Sequence, residues 1–332
     1  MAIKTIEFYE RKDEQIMLIP YIIFFTGFIF MLKGGDLFVD AATWLAKITR
    51  MPEVLIGATI VSLATTLPET MVSTLSSIHN ETSMAIGNAI GSIICNTGLV
   101  LGICNIIKPS KIRSRIFYIK GIMLLLYIVA FWFLASSGVI QGISITILFI
   151  MLAIYIVFNL RVVQYQKDHQ NLHEKKSSFT FKEVLYQFFV FIAGAAFILI
   201  GANLLVDYGV IIAEHWGVPS GIIAITILAF GTSLPEFITS VTAIRKGHAG
   251  LSMGNIIGSN ILNISLVLGA SASFNPLQFT TQNLALDIPV AFIINFLLIV
   301  PAFFTKRISR LQAFLIFLVY VVYMGFLILY YI

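Results

Sequence analysis

The sequence predicts an all-α polytopic membrane protein, in which ten transmembrane helices form two inverted-topology repeats of five, with broken helices at the membrane midplane. Three observations predict this fold class. Hydrophobic residues make up 58% of the 332-residue chain and charged residues only 11%, whereas a soluble domain carries about 25% charged residues. The chain divides into apolar runs long enough to cross a bilayer. Its two halves also share a pattern of polar residues at a fixed offset.

The ten spans follow from the lengths of the apolar runs. A helix needs about 20 apolar residues to cross the hydrocarbon core of a bilayer. The first, second, sixth and seventh spans are long or are interrupted by Gly, Pro and polar residues, which predicts broken helices. The predicted spans are 16–46, 53–78, 83–107, 116–136, 139–160, 183–213, 219–244, 250–273, 284–304 and 309–331.

Lys and Arg concentrate on alternate connections between the spans. They follow spans 1, 3, 5, 7 and 9 or lie at the adjoining helix ends, including Lys120, whereas the other side has only Lys4, Arg11 and Lys12. By the positive-inside rule both termini are extracellular. We expect a multi-pass protein of the plasma membrane without a nucleic-acid partner, because the basic residues form no patch on a soluble domain. The predicted regions are an extracellular tail 1–15, a first repeat 16–160, a cytoplasmic loop 161–182 and a second repeat 183–332.

A shift of 167 residues aligns the two halves without a gap from residue 34 to residue 102. "ATTLPET" (64–70) aligns with "GTSLPEF" (231–237), and "GNAIGS" (87–92) aligns with "GNIIGS" (254–259). Generic apolar helices share Leu and Ile by chance, but they do not share Pro, Glu, Asn and Gly in register. Because each half has five spans, the second half enters the membrane from the opposite side. Such inverted repeats are typical of secondary transporters, which bind their substrates near the midplane.

The aligned strings each place a glutamate directly after a proline: Glu69 follows Pro68, and Glu236 follows Pro235. The prolines remove a backbone donor, which predicts helix breaks and freed carbonyl oxygens. Carboxylate, carbonyl and hydroxyl oxygens are the ligands that Ca²⁺ prefers. Neither Pro-Glu string contains His or Cys, which disfavours zinc or copper. We therefore predict a cation cage formed by both halves. The alternative is a protonated glutamate that hydrogen-bonds between helices, a weaker interpretation for a repeated pair. The freed carbonyls are expected at 62–65 and 229–232.

The "GN" strings contribute small and polar residues. Small residues permit close packing between membrane helices. Asn88 and Asn255 are expected to hydrogen-bond across the repeat. Ser92 and Asn96 share one helix face, as do Ser259 and Asn263, and we expect these two faces to complete the ion sites. The small residues are Gly87, Gly91, Gly254 and Gly258.

Four aspartates lie near the ends of predicted spans. Asp36, Asp40 and Asp207 lie towards the ends of spans 1 and 6, and Asp287 lies near the start of span 9. We expect the first three to anchor helix ends or to form helix-to-loop hydrogen bonds, and Asp287 to be interfacial.

The paired strings "ATTLPET…GNAIGSIICN" and "GTSLPEF…GNIIGSNILN" resemble the two alpha-repeats of the sodium/calcium exchangers, within the calcium/cation antiporter superfamily. The resemblance covers almost the whole chain, because prokaryotic members have this length and ten spans. It implies electrogenic exchange of Na⁺ for Ca²⁺ by alternating access, with the first and sixth helices sliding over a rigid core. It implies a transporter and not an enzyme, with no cofactor. The expected partners are the transported Na⁺ and Ca²⁺ and the lipid bilayer, and the expected state is a monomer.

The resemblance also implies roles for individual residues. Glu69 and Glu236 would be ligands shared by Ca²⁺ and Na⁺. Further oxygen ligands would come from Thr65, Thr232, Ser92 and Ser259 and from the carbonyls of Ser62 and Ala229. The residues expected to line the central site are Asn96, Asn263, Thr66 and Ser233.

The chain departs from the family pattern at two positions. Ala64 replaces the usual Gly, which would restrict the backbone bend there. Asn263 replaces the Asp that the potassium-dependent branch uses, which argues against K⁺ transport. The proton-coupled branch places a glutamate in its "GN" motif, whereas this chain has Gly91 and Gly258 there, which favours Na⁺.

Other functions stay open as alternatives. The principal one is a Ca²⁺/H⁺ or other divalent-cation/H⁺ antiporter on the same scaffold. A channel would need a continuous pore, whereas the inverted repeat indicates alternation. An intramembrane protease would need paired Asp, Ser–His or zinc motifs, which the sequence does not show.

Overall fold

A computed structural model describes residues 2–170, 180–217 and 229–331. The described ranges contain ten helices, and a short helical turn, Ala229–Gly231, precedes the seventh. Residues 218–228, which belong to the predicted seventh span, lie outside the described residues. Nine of the helices in these ranges are long and apolar enough to cross a membrane. The helices are α1 (Ala2–Thr49), α2 (Glu53–Ile78), α3 (Thr82–Ile107), α4 (Arg115–Ala135), α5 (Ile143–Gln170), α6 (Phe181–His215), α7 (Leu234–Arg245), α8 (Ala249–Ala272), α9 (Asn283–Thr305) and α10 (Arg310–Tyr331).

Two helices extend well beyond the predicted spans. Helix α1 begins at Ala2 and not near residue 16, and α5 continues to Gln170 and not to residue 160. Hydropathy locates the part of a helix that crosses the membrane, whereas a helix ends where a breaker or cap stops it. Residues 2–15 and 161–170 contain no Gly or Pro, and these are the residues that most strongly oppose a helix.

Helices α1 and α6 pack against each other through glycines. A Cβ atom added to Gly27 would lie 2.9 Å from the carbonyl oxygen of Gly201, and one added to Gly34 would lie 2.8 Å from that of Gly194. The 167-residue shift relates Gly27 to Gly194 and Gly34 to Gly201, so equivalent glycines meet crosswise. Crosswise contacts require antiparallel helices. The two repeats are therefore inverted, as the sequence predicts.

Short strands repeat the same relation at both ends of the bundle. Strand β1 (Ser110–Lys111) pairs with β4 (Arg307–Ile308), and β2 (Val139–Ile140) pairs with β3 (Leu277–Gln278), both antiparallel. Each pair joins one strand from each repeat. We name the end with β1 and β4 the basic face; its connections are 50–52, 108–114, 246–248 and 306–309. The opposite face holds β2 and β3.

The most enclosed helix is not the most hydrophobic one. Helix α8 is 94% buried over its most apolar 18 residues, although it is one of the less hydrophobic helices. The more hydrophobic α10 is only 22% buried over the same length. A helix surrounded by protein needs no apolar surface for lipid, so it can carry polar side chains. Helix α8 thereby brings its "GN" motif to the centre of the bundle.

Glycines let α2 approach α8 closely. A Cβ atom on Gly254 would lie 2.3 Å from the carbonyl oxygen of Val54, and one on Gly258 would lie 2.6 Å from the Oγ of Ser62. A side chain would not fit at these distances, so glycine at both positions allows α2 and α8 to pack closely. For Gly87 and Gly91 no described atom lies within 4 Å. By the 167-residue shift, the positions equivalent to Val54, Ala58 and Ser62 are 221, 225 and 229. The first two lie outside the described residues.

Candidate functional site

Glu69 on α2 and Glu236 on α7 meet at the centre of the bundle. Both side chains are 0% exposed, and the two carboxyl groups are close enough to interact electrostatically. No Lys, Arg or His among the described residues forms an ion pair with either of them. The structure thus brings together the two glutamates that the sequence singled out.

Hydrogen bonds cross from each repeat to the other beside these carboxylates. Thr65 Oγ1 donates to Asn255 Oδ1 at 3.2 Å, and Thr232 Oγ1 donates to Asn88 Oδ1 at 2.9 Å. The two bonds are equivalent under the 167-residue shift, which relates Thr65 to Thr232 and Asn88 to Asn255. The prediction that Asn88 and Asn255 hydrogen-bond across the repeat is confirmed.

Serine hydroxyls extend the same pattern. Ser233 Oγ lies 3.3 Å from Ser92 Oγ, and Thr65 Oγ1 lies 3.4 Å from Ser259 Oγ. Ser259 Oγ also donates to Glu236 Oε1 at 3.2 Å. The hydroxyl residues predicted for the ion sites therefore gather around the two carboxylates.

Several buried oxygens in this region accept no hydrogen bond from a described donor. They include both carboxylate oxygens of Glu69 and one of Glu236. Native proteins rarely leave such atoms without a partner, and an ion is one explanation. The atoms are hard oxygens, which suits Na⁺ or Ca²⁺, and the described residues contain no cluster of three or more His, Cys, Asp or Glu. The further oxygens without a described partner belong to Thr66, Asn96 and Asn263.

The two Pro-Glu segments differ in backbone shape. Helix α2 continues through Pro68, and its irregular part is a π-helical stretch upstream, Gly57–Val61. In the second half the helical turn ends at Gly231, Thr232 and Ser233 form a turn, and α7 begins at Leu234. The helix break predicted at the prolines thus lies just before Pro235 in one half and upstream of Pro68 in the other.

The residue aligned with Gly231 explains part of this difference. It is Ala64, which lies within the continuous helix α2. Alanine favours helix by about 1 kcal/mol over glycine, so the departure from the family pattern coincides with an unbroken backbone. Pro235 lies in the first turn of α7, where its missing N–H costs nothing.

Three further residues predicted to contribute to the ion sites are Ser62, Asn263 and Ala229. Ser62 and Asn263 are buried, with 0% exposure, and the Ser62 carbonyl oxygen lies 3.4 Å from Thr65 Oγ1. Ala229 begins the short helical turn before α7; its side chain lies outside the described ones.

The structure adds a polar network that the sequence interpretation missed. Asn260 on α8 donates to Thr97 Oγ1 at 2.8 Å and to Asn295 Oδ1 at 3.3 Å. Asn96 Nδ2 donates to Asn260 Oδ1 at 3.3 Å, which joins the network to the predicted site. A single Asn within the apolar run of α9 was the available signal for Asn295.

The predicted anchoring aspartates have mixed outcomes. Asp36 and Asp40 on α1 form ion pairs with the end of α7: Arg245 lies 2.8 Å from Asp36, and Lys246 lies 2.7 Å from Asp40. Asp287, which was expected to be interfacial, is enclosed by protein side chains. It is only 6% exposed and accepts hydrogen bonds from Asn283 at 2.8 Å and Tyr323 at 3.0 Å.

Lys120, which lies near the helix end next to a basic connection, is enclosed by protein: its side chain is 0% exposed. Its position a turn inside the apolar run of α4 was the available signal for this burial. Tyr155 lies beside it on α5.

The fold and the site together define a polytopic membrane transporter of cations. Inverted repeats surround a buried pair of carboxylates, and hydroxyl and amide oxygens from both repeats line it.

Comparisons with known proteins specify the family. The family described as "Sodium/calcium exchanger protein" matches residues 19–164 and 186–329. The sodium/calcium exchanger MaX1 of Methanosarcina acetivorans is 29% identical, over 86% of this chain and 91% of that protein. The membrane protein MJ0091 of Methanocaldococcus jannaschii is 32% identical, over 88% of this chain and 92% of that protein. A solved structure of the sodium-calcium exchanger NCX_Mj superposes with a TM-score of 0.82 at 29% identity, covering 93% of this chain and 99% of that chain. The chain belongs to the sodium/calcium exchanger family.

Proposed function

We propose that this chain is a secondary active antiporter that exchanges Na⁺ for Ca²⁺ across the plasma membrane by alternating access, electrogenically and without K⁺, with both termini extracellular. The observation that carries the proposal is that Glu69 and Glu236 lie close together at the centre of the bundle, both 0% exposed. Two buried carboxylates without a basic partner need cations to balance them. The names of MaX1 and NCX_Mj, both sodium/calcium exchangers, support the choice of ions.

One cage serves both ions in this proposal. The formal charge of the two glutamates is balanced by one Ca²⁺ or by two monovalent ions, so the two cargoes exclude each other. Mutual exclusion at a shared site couples their movements in opposite directions. The oxygen ligands are those of Glu69, Glu236, Thr65, Thr232, Ser62, Ala229, Ser92 and Ser259, with Asn96, Asn263, Thr66 and Ser233 lining the central part.

Alternating access requires that part of the bundle moves relative to the rest. Helices α1 and α6 pack on each other through Gly27 and Gly201. A pair joined in this way moves as a unit across the ends of the cage. Because the repeats are inverted, the same movement opens one side while it closes the other.

Potassium independence rests on Asn263. Its side chain is 0% exposed, and neither of its polar atoms has a described hydrogen-bond partner. A neutral amide here leaves the two glutamates as the carboxylates of the site, and an additional K⁺ would lack a balancing charge.

The second candidate is a Ca²⁺/H⁺ antiporter. The closeness of Glu69 and Glu236 also favours it, because two adjacent carboxylates hold a proton between them when no cation separates them. The counter-ion that drives Ca²⁺ uptake distinguishes the two functions.

The test measures ⁴⁵Ca²⁺ uptake into proteoliposomes loaded with Na⁺, with and without an outward Na⁺ gradient, for the wild type and for Glu69→Gln. We expect uptake that requires the Na⁺ gradient and falls at least about 100-fold in the variant, because a divalent ion loses one of two balancing charges. Glu81→Gln is the matched control, since Glu81 is exposed in the connection between α2 and α3.

Two results would contradict the proposal. Uptake that ignores Na⁺ but follows a pH gradient would assign the protein to the proton-coupled alternative. Uptake that survives Glu69→Gln would refute the cage for either counter-ion.

A further inference from the structure

Lys120 binds a backbone carbonyl that the irregular part of α2 releases. In a regular helix the amide of Ser62 would donate to the carbonyl of Ala58. Here that amide donates to the carbonyls of Gly57 and Thr59, and Ala58 has non-helical dihedral angles of −83° and 21°. Lys120 Nζ lies 3.3 Å from the Ala58 carbonyl oxygen, and the Tyr155 hydroxyl donates to the same oxygen.

The ammonium group of Lys120 has no described counter-ion. Its side chain is 0% exposed, and no described carboxylate lies within 4.0 Å of it. Its further contact is the ring of Tyr155, whose centroid lies 5.5 Å from Nζ. Charged groups within membrane spans are costly and mark functional positions, so the role of Lys120 must compensate for its burial.

The other repeat carries the opposite charge at the equivalent position. The 167-residue shift places Asp287 opposite Lys120, and Tyr323 stands near the position equivalent to Tyr155 and donates to Asp287 at 3.0 Å. The position equivalent to Ala58 is 225, which lies outside the described residues. The charge of Lys120 is therefore not required by the repeat architecture itself.

Lys120 is close to one proposed ligand and far from the others. Ser62 follows Ala58 by one helical turn, so their carbonyl oxygens lie about 6 Å apart. Glu69 lies 11 residues beyond Ala58, which corresponds to about 16 Å along a helix. When the Lys120 amine is protonated, its positive charge beside Ala58 therefore acts most strongly on a monovalent ion held by the Ser62 carbonyl.

We propose that Lys120 is a specificity-determining residue: its tethered ammonium weakens Na⁺ binding at the Ser62 carbonyl and thereby sets the Na⁺ dependence of exchange on the basic face. This inference rests on the proposed Na⁺/Ca²⁺ exchange. Lys120 acts through its charge, whereas Tyr155 holds the same carbonyl without one.

The test compares Lys120→Gln, Lys120→Met and Lys120→Arg in the proteoliposome assay, with Na⁺ varied on each side in turn. We expect the Na⁺ concentration for half-maximal exchange to fall about tenfold in Lys120→Gln and Lys120→Met, because a positive charge beside a carbonyl one helical turn from the Ser62 carbonyl is removed. The half-saturating Ca²⁺ concentration should change by a smaller factor. Lys120→Arg, which keeps the charge, and Tyr155→Phe, which removes the other donor, should resemble the wild type.

The outcomes separate this inference from the function on which it rests. A wild type without Na⁺-driven uptake would refute the proposed function. A Na⁺-driven wild type with unchanged Na⁺ dependence in Lys120→Gln and Lys120→Met would refute the role of Lys120 alone. A shift in Lys120→Arg as large as in Lys120→Gln would assign the effect to packing and also overturn the inference. The melting temperature is measured for each variant, and if Lys120→Met does not fold, Lys120→Gln and Lys120→Arg complete the comparison.

Discussion

The two repeats agree in the hydrogen bonds beside the carboxylates and differ in other buried polar residues. The bond from Thr65 to Asn255 has its equivalent in the bond from Thr232 to Asn88. By contrast, Lys120 is equivalent to Asp287. The network of Asn260, Thr97 and Asn295 is replaced in the other half by three isoleucines, all of which are buried. The isoleucines are Ile93, Ile264 and Ile128.

This difference shows which parts of the molecule the inverted symmetry constrains. A site that opens to either side must present equivalent ligands to both, so the ligands repeat. The residues around the site need not repeat, and their differences make the two faces of the protein unequal. Substitutions that compare equivalent positions test this division.

The largest effect on folding is expected where α2 and α8 are in closest contact. Gly254→Ala places a Cβ atom 2.3 Å from the carbonyl oxygen of Val54, which forces backbone to move and costs about 1–3 kcal/mol of the free energy of unfolding. The melting temperature of the purified protein measures the effect. Gly325→Ala on α10 is the control, since no described atom lies within 4 Å of its added Cβ. Equal melting temperatures for the two variants would refute the close contact.

A smaller and symmetric effect is expected at the crossed hydrogen bonds. Thr65→Val and Thr232→Val each remove one bond across the repeats and one proposed ligand, at a cost of about 1–2 kcal/mol. The half-saturating Ca²⁺ concentration in the uptake assay should therefore rise by about tenfold in both variants. If the half-saturating Ca²⁺ concentration rises in one variant and stays at the wild-type value in the other, the symmetry of the cage does not extend to its function.

The smallest effect is expected at the ion pairs between α1 and α7 on the basic face. Asp36 and Asp40 pair with Arg245 and Lys246. The equivalent positions on α6 are Asn203 and Asp207, and the equivalents at the end of α2 are Ile78 and His79, with no ion pair among these residues.

Asp40→Asn should change the exchange rate by about twofold or less, because Asp40 is 64% exposed and solvent screens the pair. Raising the ionic strength should abolish the difference from the wild type. Asp207→Asn is the matched control and should leave the rate unchanged. A change greater than tenfold in Asp40→Asn would show that the pairs hold α1 in place far more strongly than exposed ion pairs do.

The polar strings predicted most of the candidate site because a buried polar residue in an apolar span has few explanations. Glu69, Glu236 and the Thr, Ser and Asn residues around them all lie within the enclosed region. Their roles as ligands stay predictions. The burial of Lys120 and Asp287 was not predicted, because both lie near the ends of apolar runs, where hydropathy does not distinguish a snorkelling side chain from an enclosed one.

The backbone of the Pro-Glu segments was predicted less well. Proline removes a donor wherever it occurs, but a helix continues through it when surrounding helices hold the segment in place. Helix α2 does so at Pro68, and its irregular stretch lies instead at Gly57–Val61, where Lys120 and Tyr155 bind the Ala58 carbonyl. These donors come from α4 and α5, far away in the sequence.

The sequence by itself determined the membrane class, the number of spans, the inverted repeat and the polar residues at the centre. Each of these depends on hydropathy, on the odd number of spans in each half or on a short repeated motif. All three can be read directly along the chain. Only the tertiary structure decided where α2 becomes irregular, which donors bind the released carbonyl, and that Asn260, Thr97 and Asn295 form one network. Those features depend on side chains from separate helices meeting within hydrogen-bonding distance, which packing alone determines.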